Sequence, residues 1–167
     1  MDVPGLFVES HQGALHPASK PTGSVRFAAG EILGRLNNAS TGPRAYSTVQ
    51  CGPGDEDNVE LNSNLVYVNH SCDPNAVFDL SSTDPTRWHL RALKDIMPGN
   101  TNLVTYFYPS TEWDMAQAFD CDCKTVECLG RIQGAKYLSR SELIKRGWIS
   151  PWILRLCDER DSELLKL

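Results

Sequence analysis

The chain predicts a mainly β fold of the α+β type, many short strands followed by a helical tail, and three observations carry that expectation. Its apolar residues fall in short runs and not in long helical stripes. Ten prolines and twelve glycines are scattered between those runs, without an internal repeat or a low-complexity tract, which is the texture of strands joined by turns. Only in the last third does the pattern change, to capping residues followed by apolar positions at helical spacing.

In chain order, strands are predicted at Leu6 to Ser10, Leu65 to Val68, Asn75 to Leu80, Arg87 to Leu93 and Leu103 to Tyr108. The run Trp88, His89, Leu90, Arg91, Ala92, Leu93 carries a rough alternation, the period of a half-buried strand. Turn-forming pieces separate the strands: Gly42-Pro43, Gly52-Pro53-Gly54-Asp55 and Ser81-Ser82-Thr83-Asp84-Pro85. Ser139 and Glu142 have the spacing of a capping box, which opens a helix through Leu143, Ile144 and Lys145 and stops it at Gly147. A second helix is expected from Ser150-Pro151, with proline in its first turn and Trp152, Ile153, Leu156 and Cys157 as an apolar stripe. Trp148 and Trp152 are read as packing residues, the usual fate of aromatic side chains at such spacing.

Composition excludes several function classes. With 167 residues, 41% hydrophobic and 22% charged, the chain has the size and balance of one soluble globular domain. No apolar run approaches the roughly 18 residues of a membrane span, so no membrane partner is expected. Met1-Asp2-Val3-Pro4 offers neither a basic nor an apolar signal segment, and the expectation is an intracellular, nuclear or cytoplasmic, reducing compartment. A net charge of -5 argues against direct nucleic-acid binding, which needs a basic surface to displace counterions. Basic partners such as lysine-rich peptides remain compatible with it.

Six cysteines in a reducing compartment read as metal ligands or buried thiols. Cys121 and Cys123 are close enough to clasp one ion from a single turn, and Cys128 returns after a four-residue loop. Zinc takes four such ligands in a closed structural site. Spacing alone leaves the fourth open among Cys51, Cys72, Cys157 and a histidine. As isolated cysteines, Cys51 and Cys157 are read as buried thiols.

Asn69-His70-Ser71-Cys72-Asp73-Pro74-Asn75 and Cys121-Asp122-Cys123 with Cys128 resemble the NHSCxPN and post-SET Cys-x-Cys-x4-Cys motifs of SET-domain proteins. Further segments follow in the family's order. Ala29-Gly30-Glu31 resembles its early turn into a strand, Leu93-Lys94-Asp95-Ile96 the stretch before its catalytic strand, and Thr105-Tyr106-Phe107-Tyr108 that strand itself. Phe119 and Cys128-Leu129-Gly130 complete the post-SET spacing, so the likeness covers roughly Phe27 to Leu138.

The resemblance implies a β-clip fold of short sheets with a knot-like C-terminal crossing. Residues 1–118 would be the SET-like domain, 119–135 a zinc-tied post-SET segment and 136–167 a helical tail packed on the domain. It selects Cys72 as the fourth ligand of one structural zinc, beside Cys121, Cys123 and Cys128. It implies S-adenosylmethionine as cofactor, contacted by Asn69, His70, Gly13, Leu129 and Ile132. Tyr108 stands at the position of the catalytic tyrosine, and Tyr106 at the aromatic position that tunes how many methyl groups are accepted. The implied activity is methyl transfer to a lysine amine of a protein or peptide. A SET-like enzyme acting on a small metabolite, and a catalytically silent binding or scaffold protein, are the alternatives.

The chemistry supplies reasons of its own for such groups. Displacement at a sulfonium by a neutral amine creates no anion and demands alignment above all. A lysine with a reference pKa of about 10.4 must first lose its proton, which a low-dielectric channel favours. Tyrosine faces attract the sulfonium while their hydroxyls orient an amine. Three departures from the family pattern together permit a SET-like domain with altered chemistry or none. The glycine-rich cofactor loop reads His11-Gln12-Gly13-Ala14-Leu15 or Val3-Pro4-Gly5-Leu6-Phe7, each with one glycine where the family has two. The family's GEELT stretch reads Gly99-Asn100-Thr101-Asn102-Leu103-Val104-Thr105, and Val66 stands where an arginine is usual.

Overall fold

The computed structural model describes residues 6–9, 18–21, 25–98 and 103–167. Mostly small sheets with few helices make up this part of the chain. β1 (Leu6–Glu9) pairs antiparallel with β2 (Ala18–Pro21). β3 (Ile32–Arg35) belongs to a three-stranded antiparallel sheet discussed below, and β4 (Ser40–Thr41), β5 (Val49–Gln50) and β6 (Asn58–Glu60) form another, with β6 in the centre. Val49 and Val59 face each other there and are both buried, so the cross-strand pair of β-branched side chains fixes the register.

β7 (Asn69–His70) comes next, then β8 (Ala76–Asp79) and β9 (His89–Ala92). The sheet order is β3-β9-β8, all antiparallel. In β9 the predicted alternation is present: Leu90 and Ala92 are buried while His89 and Arg91 are half-buried. β8 reads differently, with Ala76, Val77 and Phe78 consecutively buried, as expected of a strand covered on both faces. The turn between them is built by short polar side chains. Asp84 accepts hydrogen bonds from the Thr86 amide and hydroxyl at 3.0 and 2.7 Å and so starts the 3-10 turn Pro85–Arg87.

Two predicted strands are corrected. Residues 64–67 form a 3-10 turn, not a strand: the Ser63 hydroxyl accepts from the Leu65 amide, and the Val68 amide donates to the Leu65 carbonyl. Leu65 and Val68 are buried all the same; an apolar run this short satisfies either conformation, and the Ser63 cap decides between them. The strand predicted from Leu103 to Tyr108 contracts to β10 (Thr105–Tyr106). Tyr108–Ser110 turns into a 3-10 helix with Pro109 in its first turn, where proline cannot continue a ladder.

β11 (Phe119–Asp120) and β12 (Arg131–Ile132) pair antiparallel around the cysteine loop. Gly134 follows at φ +124°, and a Cβ there would stand 2.4 Å from the Trp113 carbonyl oxygen; glycine is the residue that this crossing admits. The helical tail matches its prediction closely. α1 (Arg140–Ile144) opens with both halves of the Ser139–Glu142 capping box, and α2 (Pro151–Leu164) has Ser150 at its N-cap and proline in its first turn. Gly147 adopts φ +99° just past α1. Trp152, Ile153 and Cys157 bury one face of α2, and the Trp152 indole donates to the Thr111 carbonyl at 3.2 Å. Among the described residues no helix is long and apolar enough to cross a membrane.

Candidate functional site

The site begins where two distant segments run side by side. β7 and β10 are parallel, with Asn69 opposite Thr105 and His70 opposite Tyr106, and the Ser71 amide donates to the Tyr106 carbonyl at 3.0 Å. The far end of the same seven-residue run is secured by a side chain. Asn75 donates through Nδ2 to the Leu103 carbonyl at 2.8 Å and accepts at Oδ1 from the Thr105 amide at 2.9 Å. A side-chain amide thus does the work of one more strand residue, with its donor and acceptor both used. Between the ends, the Ser71 hydroxyl accepts from the Asp73 amide at 3.1 Å and turns the chain so that Cys72 faces inward, fully buried.

Tyr106 and Tyr108 come together as an aromatic pair, ring centroids 4.6 Å apart. Phe78 meets Tyr106 edge-on at 4.7 Å, and Phe119 stands 5.8 Å from Tyr108. Burial raises both phenols: Tyr106 well above its usual range, Tyr108 to about 12. Both therefore stay protonated at neutral pH, as hydroxyls that give or take a hydrogen bond and not as phenolates. Glu112 adds a carboxyl to this neighbourhood. Its amide donates to the Tyr108 carbonyl at 3.1 Å, and its Oε1 accepts from the Gln50 amide at 2.8 Å. Burial pushes it up to about 7, against the opposing pull of the Gln50 hydrogen bond and of Arg44.

The His70 ring lies between the aromatic side chains and the cysteine cluster. The Tyr108 amide donates to Nδ1 at 3.2 Å, so in the neutral ring the proton sits on Nε2, which lies 3.3 Å from the Cys72 sulfur. Burial first, and then the nearby Arg146, bring its pKa down to about 3. The imidazole thereby links the tyrosine backbone to the cysteines. Phe107, Tyr108 and Phe119 surround it with centroids at 5.5, 5.1 and 5.5 Å.

Cys72, Cys121, Cys123 and Cys128 gather with all four sulfurs within 4.8 Å of one another. A tetrahedral ion with metal–sulfur bonds of about 2.3 Å sets its ligand atoms about 3.8 Å apart, and Cys72 and Cys121 are 3.9 Å apart. The donor set therefore fits one thiophilic ion. The loop is shaped by backbone bonds from Cys121 to the Gly130 carbonyl at 2.6 Å and from Cys128 to the Thr125 carbonyl at 3.1 Å. Burial raises Cys72 to about 11 and Cys121 further, whereas Cys123 falls to about 6 because hydrogen bonds from the Thr125 hydroxyl and amide outweigh its burial. A cation held among the four sulfurs favours their thiolate forms, against the burial that keeps Cys72 and Cys121 protonated. Cys51 and Cys157 stand apart from the cluster.

The other expected contacts are placed as follows. Leu129 is half-buried and its amide points at the Cys72 sulfur, 3.4 Å away. Ile132 is buried opposite Phe119, and Asn69 lies on β7. Gly13, with both candidate glycine loops except Leu6 and Phe7, lies outside the described residues, as do positions 99–102. Two residues that the motifs do not single out stand at the site, Glu112 and Arg146. Neither has a local signal: one follows a turn, the other lies just past a short helix, and only long-range packing brings them in.

Short sheets meet at an aromatic pair, Tyr106 buried and Tyr108 half-buried, beside four cysteines spaced to hold one ion. Residues 23–107 match the SET domain. The chain is also 37% identical over 143 residues to a protein named methyltransferase flvH from Aspergillus flavus, an alignment spanning 85% of this chain and 76% of that one. The chain belongs to the SET-domain family.

Proposed function

We propose that this chain is an S-adenosylmethionine-dependent methyltransferase of SET type that methylates the side-chain amine of a protein lysine. The observation that carries the reading is the Tyr106–Tyr108 pair: Tyr106 stands on β10 beside the Asn69–His70 strand, and Tyr108 opens the next turn with its amide donating to His70 Nδ1. Family membership and a relative named as a methyltransferase support the reaction class. When bound, the cofactor supplies a methyl group on a sulfonium centre, and the aromatic faces of Tyr106, Tyr108 and Phe119 fit that charge.

The chain's own groups act by placement. The Tyr108 hydroxyl, protonated because burial holds its pKa near 12, accepts from the incoming amine and fixes its lone pair toward the methyl carbon. Tyr106 limits the room around the amine. The low dielectric of an aromatic channel disfavours the ammonium form and eases loss of its proton. Asn69 and His70 contribute backbone and amide contacts to the cofactor, with Gly13, Leu129 and Ile132 beside them. Cys72, Cys121, Cys123 and Cys128 hold one structural zinc, which ties segment 119–135 onto the SET-like domain of residues 1–118. Residues 136–167 pack on that domain, and a knot-like crossing forms where the C-terminal segment passes the run from Asn69 to Asn75.

Calorimetric titration with S-adenosylmethionine, followed by peptide arrays with labelled cofactor, tests the assignment. Binding and labelling of lysine peptides are expected. Tyr108→Phe is expected to lower turnover about 100-fold or more with an unchanged circular dichroism spectrum; full activity in that variant would refute the role of Tyr108. Cofactor binding with no labelled peptide would transfer the reading to a small-molecule amine. Absence of binding at millimolar cofactor would remove methyl transfer altogether.

A further inference from the structure

Arg146 is a cation buried where a surface charge would be expected. Its side chain is 4% exposed, and it lies just beyond α1, in the tail outside the matched SET region. Nη1 donates to the Cys72 carbonyl at 2.9 Å and to the Glu127 carbonyl at 3.0 Å. The first belongs to a ligand cysteine, and the second to the residue preceding another, Cys128. The guanidinium also lies over the Phe107 ring, 5.6 Å from its centroid, and the Glu127 carboxylate is 3.6 Å from Nη1. Among the described residues its Nε is buried without a hydrogen-bond partner. Burying a guanidinium with an idle donor is unfavourable unless some other charge compensates it.

We propose that Arg146 is a positioning residue of the zinc centre, the group through which the C-terminal tail locks the two cysteine-bearing segments around the ion. The inference rests on the zinc reading given above. Four thiolates around one Zn2+ carry a net charge of about -2, and Arg146 supplies positive charge beside it. By holding the carbonyls of Cys72 and Glu127 on one nitrogen, it adds to the bond from the Leu129 amide to the Cys72 sulfur and fixes the separation of the two segments. Its contact with Phe107, next to Tyr108, carries the same constraint to the aromatic site. Outer-sphere partners of this kind change metal affinity by roughly 10–100-fold.

Zinc transfer from the purified full-length chain to a chromogenic chelator, followed by absorbance, tests this. Arg146→Met is expected to release zinc about 10-fold or more faster than the wild type, with an unchanged circular dichroism spectrum. Arg146→Lys, which keeps the charge but not the planar fork, is expected to fall between the two. Ile153→Ala opens a cavity in α2 and controls for loosening of the tail; it is expected to release zinc at the wild-type rate. Unchanged release from Arg146→Met, or equal acceleration in Ile153→Ala, would overturn this inference alone. A wild-type chain that carries no zinc would overturn the zinc reading and this inference together.

Discussion

The cysteine cluster and the tyrosine pair flank one imidazole, that of His70, yet they are built on opposite principles. The tyrosines are held by burial. Tyr106 is 6% exposed and leans on Phe78, which is fully buried, so packing, together with the β7–β10 pairing and the Tyr108 amide's bond to His70, keeps the rings in place. Three of the four cysteines are half-buried on a loop whose Val126 is fully exposed. That loop buries little apolar surface, and on the zinc reading proposed above its shape depends on the ion between the sulfurs. One region is thus a piece of core and the other a clasp, and the same perturbation should divide them.

Metal removal should show the largest difference. Stripping the ion with a chelator is expected to speed amide hydrogen exchange about 100-fold or more across residues 119–135, since ligand binding there is coupled to folding. The β3-β9-β8 sheet should keep its protection. Equal acceleration in both would mean that the clasp and the core are one cooperative unit. The converse perturbation is Phe78→Ala, expected to cost about 3–5 kcal/mol in chemical denaturation by opening a cavity under Tyr106. Zinc content should stay the same in that variant, and loss of the metal would break the distinction from the other side.

Glu112 gives a smaller effect with a definite sign. Burial raises its pKa from 4.5 to about 7, so the folded chain keeps a proton that the unfolded chain has lost. Folding takes up that proton between these values, and stability falls as pH rises through the window. Glu112→Gln should therefore be no more stable than the wild type below pH 4.5 and more stable above neutrality, by roughly 1–3 kcal/mol. Denaturation midpoints across the pH range measure it, and a difference that does not depend on pH would place the carboxyl in water. The smallest effect is expected from Ser139→Ala, about 0.5–2 kcal/mol from the lost cap. It should appear as faster exchange in α1, with the tyrosine environment unaltered in near-ultraviolet circular dichroism.

What could be read in advance followed the same division. The cysteine trio, the Ser139–Glu142 box and the proline that opens α2 are local patterns whose chemistry needs no knowledge of the rest of the chain. The alternation in β9 likewise carries its own period. Leu65 to Val68 misled because four apolar residues are too few to reveal a period, and a single hydroxyl at Ser63 settles the turn. The selection of Cys72 as the fourth sulfur needed the family likeness; spacing alone left it open. Arg146 and Glu112 were out of reach, since each is defined by a partner across the fold: the Cys72 carbonyl for one, the Gln50 amide for the other.

The parallel pairing of β7 and β10 has a consequence for how the molecule is made. Its contacts close at long separations: 38 residues between His70 and Tyr108, 57 between Cys72 and Leu129, 74 between Cys72 and Arg146. Loop-closure entropy makes such contacts late and slow. A chain emerging from the ribosome can assemble β8 and β9 as a hairpin long before Arg146 is synthesised. The tail is therefore the last part of the protein to be made, and a chain that ends short of it has the sheets and the four cysteines but not the Arg146 bonds to the Cys72 and Glu127 carbonyls.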